Sequence, residues 1–287
     1  MARLSIPKTY KLAIGGAFPR SESGRTYEVT TAKGAFLANA ALASRKDARD
    51  AVVAARAAQP GWSGATAYNR GQVLYRIAEL LEGRHAQFTE EIAASEGVSR
   101  AVAARQVDAA IDTWVWYAGW TDKFAQVAGS GNPVAGPYFN LSVPEPTGVV
   151  AIVAPQEPTG SSLLGLVAVV APALVAGNTV VVIADEAHPL SAISLAEVLA
   201  TSDVPGGVVN VLTGSPAEIA PWLASHADVN ALDLTGAGAL DWVELEIAAA
   251  DTLKRVTGPE PGVPDRGLGR ILALTETKTV WHTKSML

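Results

Sequence analysis

Cysteine is absent from all 287 residues. No side chain can therefore supply a thiolate nucleophile, a zinc-thiolate ligand or half of a disulfide. The other residue types that could do chemistry are scattered. His85, His188, His226 and His282 lack metal-ligand spacing and no HExxH motif is present, so surface or satisfied core positions are expected and no metal site is. Glu244 and Glu246 share a short acidic stretch that reads as a solvated face, not a catalytic pair. Glu186 stands between an apolar strand-like run and a helix-like run, where a carboxylate can cap the helix. Thr235 and Gly236 follow a later strand, where a βα turn favours glycine on its own account. No GxGxxG follows the first apolar strand, so the usual dinucleotide fingerprint is missing.

The elements that would position such residues need a core, and 49% apolar residues supply one. The formal net charge is −6 and no long basic run is present. Nucleic acid and anionic membranes are thus disfavoured partners, since both are held by clustered Lys and Arg. The opening residues MARLSIPKTYKL contain no apolar core of a secretory signal, so a cytoplasmic location is the default expectation. The most apolar stretch, Leu163 to Ala184, is interrupted by Gly165, Pro172, Gly177 and Asn178. It reads as a buried helix followed by a buried strand, not a membrane span.

Residues 1–40 read as short strands broken at Gly15-Gly16 and Ser23-Gly24. Ser44 to Asp47 form a candidate capping box before a helix running to Ala58, which Pro60-Gly61 would end. Further helices are predicted over about Arg70–Glu82, Arg84–Glu96 and Arg100–Phe124, the last carrying Trp114, Trp116, Tyr117 and Trp120 as core or helix-packing residues. Residues 129–148 read as an extended arm. Apolar strands at 148–155, 178–184, 208–213 and 231–236 then alternate with helices at Leu163–Val175, Leu190–Thr201 and Ala217–Ser225. Such alternation implies parallel βαβ units covered on both faces. A Pro/Gly-rich linker, residues 258–270, precedes ILALTETKTVWH, whose composition is that of a strand needing a sheet to join.

The order of these segments resembles the aldehyde dehydrogenase superfamily from the N-terminus to about Val256. The matching stretches are GWSGATAYNRGQVLYRIAELLE (61–82), EPTGVVAIVAP (145–155), APALVAGNTVVV (171–182), PLSAISLAEVL (189–199), VPGGVVNVLTG (204–214) and LASHADVNALDLTG (223–236). The tail TETKTVWH (275–282) is similar to the family's C-terminal strand. Between Gly262 and Asp265 almost nothing stands where the family holds its catalytic domain. The resemblance implies a cysteine thiolate attacking an aldehyde, hydride transfer to NAD(P), and hydrolysis of the thioester. No residue here matches that nucleophile. Pro259 takes the position of the family's general-base Glu, with Glu260 beside it as a solvated loop carboxylate. Glu157 takes the oxyanion-hole Asn position, where a carboxylate would repel a developing alkoxide. In the segment that resembles the ribose-binding KPAE, Ile183 replaces the Lys and Glu186 remains. In the segment that resembles the phosphate-binding TGSxxxG, Thr235 and Gly236 remain, while Ala237 replaces the Ser and Asp241 the last Gly.

The expected fold is a Rossmann-like α/β domain of the aldehyde dehydrogenase NAD-binding type, with a parallel sheet and a projecting arm and C-terminal strand. Residues 1–128 would pack on the core, 129–147 form the oligomerisation arm, 148–257 the βαβ core, 258–270 the linker and 271–287 the tail strand. In the family the arm and tail extend the catalytic-domain sheet of a neighbouring subunit. The resemblance therefore implies a non-catalytic subunit that pairs with a full-length aldehyde dehydrogenase or with itself. NAD(P), through Glu186, Thr235 and Gly236, is a weakly held alternative ligand with no cofactor required. A third reading, an NAD-dependent oxidoreductase acting on aldehydes, is disfavoured by the missing thiol.

Overall fold

The computed structural model describes residues 6–156 and 161–284. Strands β1 (Thr9–Tyr10), β2 (Thr26–Thr30) and β3 (Phe36–Ala41) form a small sheet in the order β1-β3-β2. Helices α1 (Arg45–Gly64), α2 (Ala67–Glu82), α3 (His85–Glu96), α4 (Arg100–Ala118) and α5 (Phe124–Ala128) follow, and the arm is β4 (Ser130–Asn132) and β5 (Tyr138–Pro146). The central unit is β6 (Val149–Val153), α6 (Ser162–Ala176), β7 (Thr179–Ile183), α7 (Leu190–Ala200), β8 (Val209–Leu212), α8 (Pro216–Ser225), β9 (Ala231–Asp233), α9 (Trp242–Ala250) and β10 (Arg255–Thr257). The tail holds α10 (Leu268–Leu272) and β11 (Thr275–Thr283).

The central sheet is parallel throughout, in the order β10-β9-β6-β7-β8. Its fifth strand, β10, was not among the four read from apolar runs, because Arg255-Val256-Thr257 is too short and polar to stand out. Every residue of β6 and β7 is buried, as a sheet covered on both faces requires. Helix α6 is buried on nearly all sides, which accounts for the apolarity of Leu163–Ala184. Among the described residues no helix is long and apolar enough to cross a membrane. The open edge at β8 is covered by the N-terminal segment, where Ala13 and Val211 exchange backbone hydrogen bonds of 3.0 and 2.8 Å.

The capping box forms. The Ser44 hydroxyl accepts from the amides of Lys46 and Asp47, and the Asp47 carboxylate accepts from the Ser44 amide at 2.7 Å. Helix α1 does not end at Pro60-Gly61, however, but runs through Pro60 to Gly64. The bond lost at the proline is offset by Trp62, whose ring is buried and whose Nε1 donates to the Leu174 carbonyl at 3.2 Å. Helix α4 stops at Ala118, short of Phe124, where Gly119 caps it and the Thr121 hydroxyl turns back onto the Ala118 carbonyl at 2.9 Å. Trp114 and Tyr117 are fully buried, and Trp116 meets the Tyr117 ring edge-on at 4.8 Å.

The tail contains the expected strand, β11, preceded by a helical turn. Its first part is the helical turn α10, because Ile271 and Leu274 bury themselves in the core that includes α6. The strand then pairs antiparallel with β5 over all nine of its residues, Thr275 opposite Pro146 and Thr283 opposite Tyr138. Arm and tail therefore do not project separately. They satisfy one another in a three-stranded sheet ordered β11-β5-β4.

Asn178 pins this tail to the core. Fully buried, it accepts from the Gly148 amide at 2.8 Å and donates to the carbonyls of Ala173 (3.2 Å) and Leu274 (2.9 Å). Substituting Asn178→Ala strands the Gly148 amide and removes one of the two donors to the Leu274 carbonyl, and we expect a loss of about 1–3 kcal/mol. Urea unfolding should show a lower midpoint at unchanged slope. A midpoint within experimental error of the parent would show that these bonds do not hold the tail.

Candidate functional site

In a parallel sheet whose first strand lies inside it, the chain leaves that strand in both directions, and the crevice at the strands' carboxyl ends is where ligands are placed. Here the first strand is β6, flanked by β7 and β9. A cleft of about 370 Å³ opens at that end, lined by Gln156 after β6, Glu186 after β7, Ser215 and Pro216 after β8, and Gly236 and Leu240 after β9.

Glu186 and Gly236 are thus brought together on one cleft. Glu186 is exposed and makes no helix cap. Helix α7 has no side-chain cap at all; instead Asp185, which is buried, closes the loop before it, its Oδ1 accepting from the amides of Ala187 (2.8 Å) and His188 (2.9 Å). A carboxylate followed two and three residues on by free amides is the Asx-turn signal that could have marked it. Gln156, also unremarked in the sequence, fixes the Glu186 loop. Its Oε1 accepts from the Glu186 amide at 3.0 Å and its Nε2 donates to the Ala154 carbonyl at 2.6 Å. Asp185 and Glu186 together raise the pKa of the largely buried Tyr27, after burial itself.

Thr235 is buried and belongs to another network. Its amide (3.0 Å) and hydroxyl both donate to Asp233 Oδ1. Arg270, at the end of the linker, donates through Nη2 to the Thr235 hydroxyl at 3.1 Å and to Asp233 Oδ2 at 3.4 Å, and through Nη1 to Glu260 Oε2 at 2.8 Å. Glu260 is an exposed loop carboxylate, held by this ion pair and by its amide, which donates to the Thr235 carbonyl at 3.2 Å. Burial pushes the Asp233 carboxyl above its ordinary value, against the lowering influence of Arg270 and Thr235.

Gly236 answers a packing demand. A Cβ there would lie 1.8 Å from the Ala154 carbonyl oxygen, so the turn after β9 can press against the end of β6 only with glycine. Ala237 is fully buried and offers no hydroxyl. Asp241 turns onto its own helix, accepting from the Glu244 amide at 3.4 Å as the cap of α9. Ile183 is buried in the core beneath the cleft. Glu157 lies outside the described residues. Among the residues lining the cleft there are two carboxylates and no Lys or Arg. Such a lining favours hydroxyl-bearing or cationic groups and repels phosphates.

The histidines lie apart from this cleft. His85 pairs with Asp108 at 2.9 Å, His188 with the Ser95 hydroxyl at 2.9 Å, and His226 lies against Trp222. No three His, Cys, Asp or Glu side chains converge on a metal position among the described residues.

Residues 18–258 match the aldehyde dehydrogenase family. The chain is 32% identical over 263 residues to the cytosolic 10-formyltetrahydrofolate dehydrogenase of Mus musculus, covering 89% of this chain and 28% of that protein. It is 30% identical over 262 residues to the mitochondrial 10-formyltetrahydrofolate dehydrogenase of Homo sapiens, covering 88% and 28%. Among solved structures it superposes on the NAD+ complex of an aldehyde dehydrogenase from Bacillus cereus with a TM-score of 0.78 at 27% identity, over 87% of this chain and 50% of that one. An NADP dependent enzyme of E. coli gives a TM-score of 0.79 at 25% identity, over 86% and 50%. The chain thus spans 28% of the length of these curated relatives and half of the solved chains.

Removing Arg270 leaves Asp233 as a buried carboxylate without its cation. Arg270→Met should cost about 3–5 kcal/mol at neutral pH. The folded pKa of Asp233 is raised, so the folded chain holds its proton more firmly than the unfolded chain does. The variant's deficit should therefore shrink as the pH falls into the carboxylate range and grow as the pH rises through the raised folded value. Adding Asp233→Asn should restore part of the stability. Denaturation of both variants at pH 5 and pH 8 tests this, and a deficit that ignores both pH and the second substitution would show the pair is uncoupled.

Proposed function

This chain belongs to the aldehyde dehydrogenase family, and from that membership we propose that it is a non-catalytic structural or regulatory subunit, pairing with a full-length aldehyde dehydrogenase or with a second copy of itself. The thiolate chemistry of the family needs a cysteine, and the chain has none. The activity in the names of its relatives, and an NAD-dependent oxidation of aldehydes generally, would here lack a nucleophile.

The observation that carries the reading is the β11-β5-β4 sheet. Strand alternation puts Phe139, Leu141 and Val143 on one face of β5, with exposures of 58%, 44% and 40%. Val280 lies opposite Leu141 in the register. A row of large apolar side chains on a thin sheet is a surface that another chain can cover. Strand β11 is in addition an outer strand, nine residues long, with one edge unpaired among the described residues. Such an edge can be extended by a strand from a partner.

A second reading, weak nucleotide binding, is supported by the exposed Glu186 carboxylate in a cleft large enough for a nucleoside-sized group. The missing cations and the self-capped α9 weigh against a dinucleotide's phosphates. Saturation-transfer NMR with NAD at millimolar concentration should give at most a faint signal confined to the adenosine protons. Silence there would end this second reading.

For the first reading, light scattering after tagged purification from the native host should give a complex of fixed stoichiometry. Phe139→Asp with Leu141→Asp should weaken association by about a hundredfold or more, as expected from removing two apolar contacts of about 1.5–3 kcal/mol each. Both positions are exposed, so the melting temperature of the free chain should change little. A chain that stays monomeric at tens of micromolar (roughly the range of weak subunit contacts) and captures no aldehyde dehydrogenase would sink the proposal.

A further inference from the structure

A second concave site lies on the N-terminal sheet, away from the cleft at the strand ends. It encloses about 200 Å³ and is lined by Lys11, Arg20 and Arg25 together with the polar side chains of Thr9, Thr26 and Asn39. No carboxylate lines it. In a chain of net charge −6, three cations facing one small cavity are an unusual local concentration.

Two of the surrounding acids are committed elsewhere. Glu22 accepts from Ser44 and pairs with Lys46 at 3.2 Å. Asp47 accepts from the Ser21 hydroxyl, the Glu22 amide and the Ser44 amide as part of the capping box of α1. Glu28 is registered opposite Asn39 but forms no ion pair among the described residues. Lys11 and Arg20 make no ion pair among the described residues, and Arg25 reaches only the Ser23 hydroxyl, at 3.4 Å. By contrast, the neighbouring Lys8 is paired with Glu197 at 2.7 Å. Lys11, Arg20 and Arg25 thus line one cavity that has no carboxylate in its lining, and a bound anion would supply the counter-charge.

We propose that this cavity binds a small phosphate ester. A phosphate monoester is a dianion near neutral pH and offers three acceptor oxygens, which suits two guanidinium groups and an ammonium better than a single carboxylate does. The hydroxyl groups of Thr9 and Thr26 and the Asn39 amide would meet the organic part. The cavity is small and local, so it cannot follow a nucleic-acid backbone, and the sequence has no basic run to extend it.

The test is calorimetric titration of the full chain with inorganic phosphate and with ribose 5-phosphate, at constant ionic strength and against sodium chloride. Both phosphates should bind where chloride does not. Arg20→Gln with Arg25→Gln should lower the affinity by about tenfold or more. Arg20→Lys alone should lose less. All of these positions are at the surface, so equal melting temperatures without phosphate would confirm that the variants are folded. Tighter binding of ribose 5-phosphate assigns the site to an organic phosphate, and equal binding assigns it to the free ion. Absence of phosphate-specific heat, or affinity unchanged in the double variant, overturns the proposal.

Discussion

Arg270 reaches back across the linker to Asp233, a carboxylate buried at the end of β9. That contact, with Glu260 on the guanidinium's other side, fixes where the chain goes after the central sheet is complete. It seats α10 against α6, and Asn178 then holds the Leu274 carbonyl just before β11 begins. From that point the tail has a defined direction and meets β5 in register. A buried ion pair is a poor source of net stability, because desolvation consumes most of the attraction. Its effect here is to specify geometry. A tail that merely wandered would leave β11 and one edge of β5 unpaired.

The core was legible because its signals are local and unbroken. The apolar runs of β6, β7 and α6 can be buried on all sides, and the alternation of strand and helix admits few topologies. Ser44 and Asp47 declare a helix start through side-chain geometry alone. What stayed hidden depends on distant partners. Nothing near Pro60 says that Trp62 will anchor one more turn against Leu174, and nothing near Asp233 says that its counter-ion lies at the far end of the linker. Strand β10 forms because β9 offers it a ladder, not because its own residues demand one.

The candidate cleft shows a similar division. Gly236 was visible as a turn residue, and the structure gives its cause in the contact with Ala154. Thr235 stands beside it in sequence, yet its hydroxyl is spent on Asp233 and Arg270. Glu186 was singled out as a carboxylate that could cap. Its neighbour Asp185 turns inward instead and closes the loop before the helix, which leaves Glu186 facing solvent in the cleft. Motif positions one residue apart can thus point into different environments, and only the backbone path decides which side chain remains available.

The pairing of β5 with β11 joins strands that lie on either side of the whole central sheet in sequence. On a ribosome the first emerges long before the second exists. Until synthesis reaches the tail, β5 presents Phe139, Leu141 and Val143 on a strand with no companion on that side. Contacts so distant in sequence form late, and strands waiting for them are open to other sheets in the meantime. The order of synthesis therefore gives a neighbouring chain an interval in which to claim β5 before its own tail arrives.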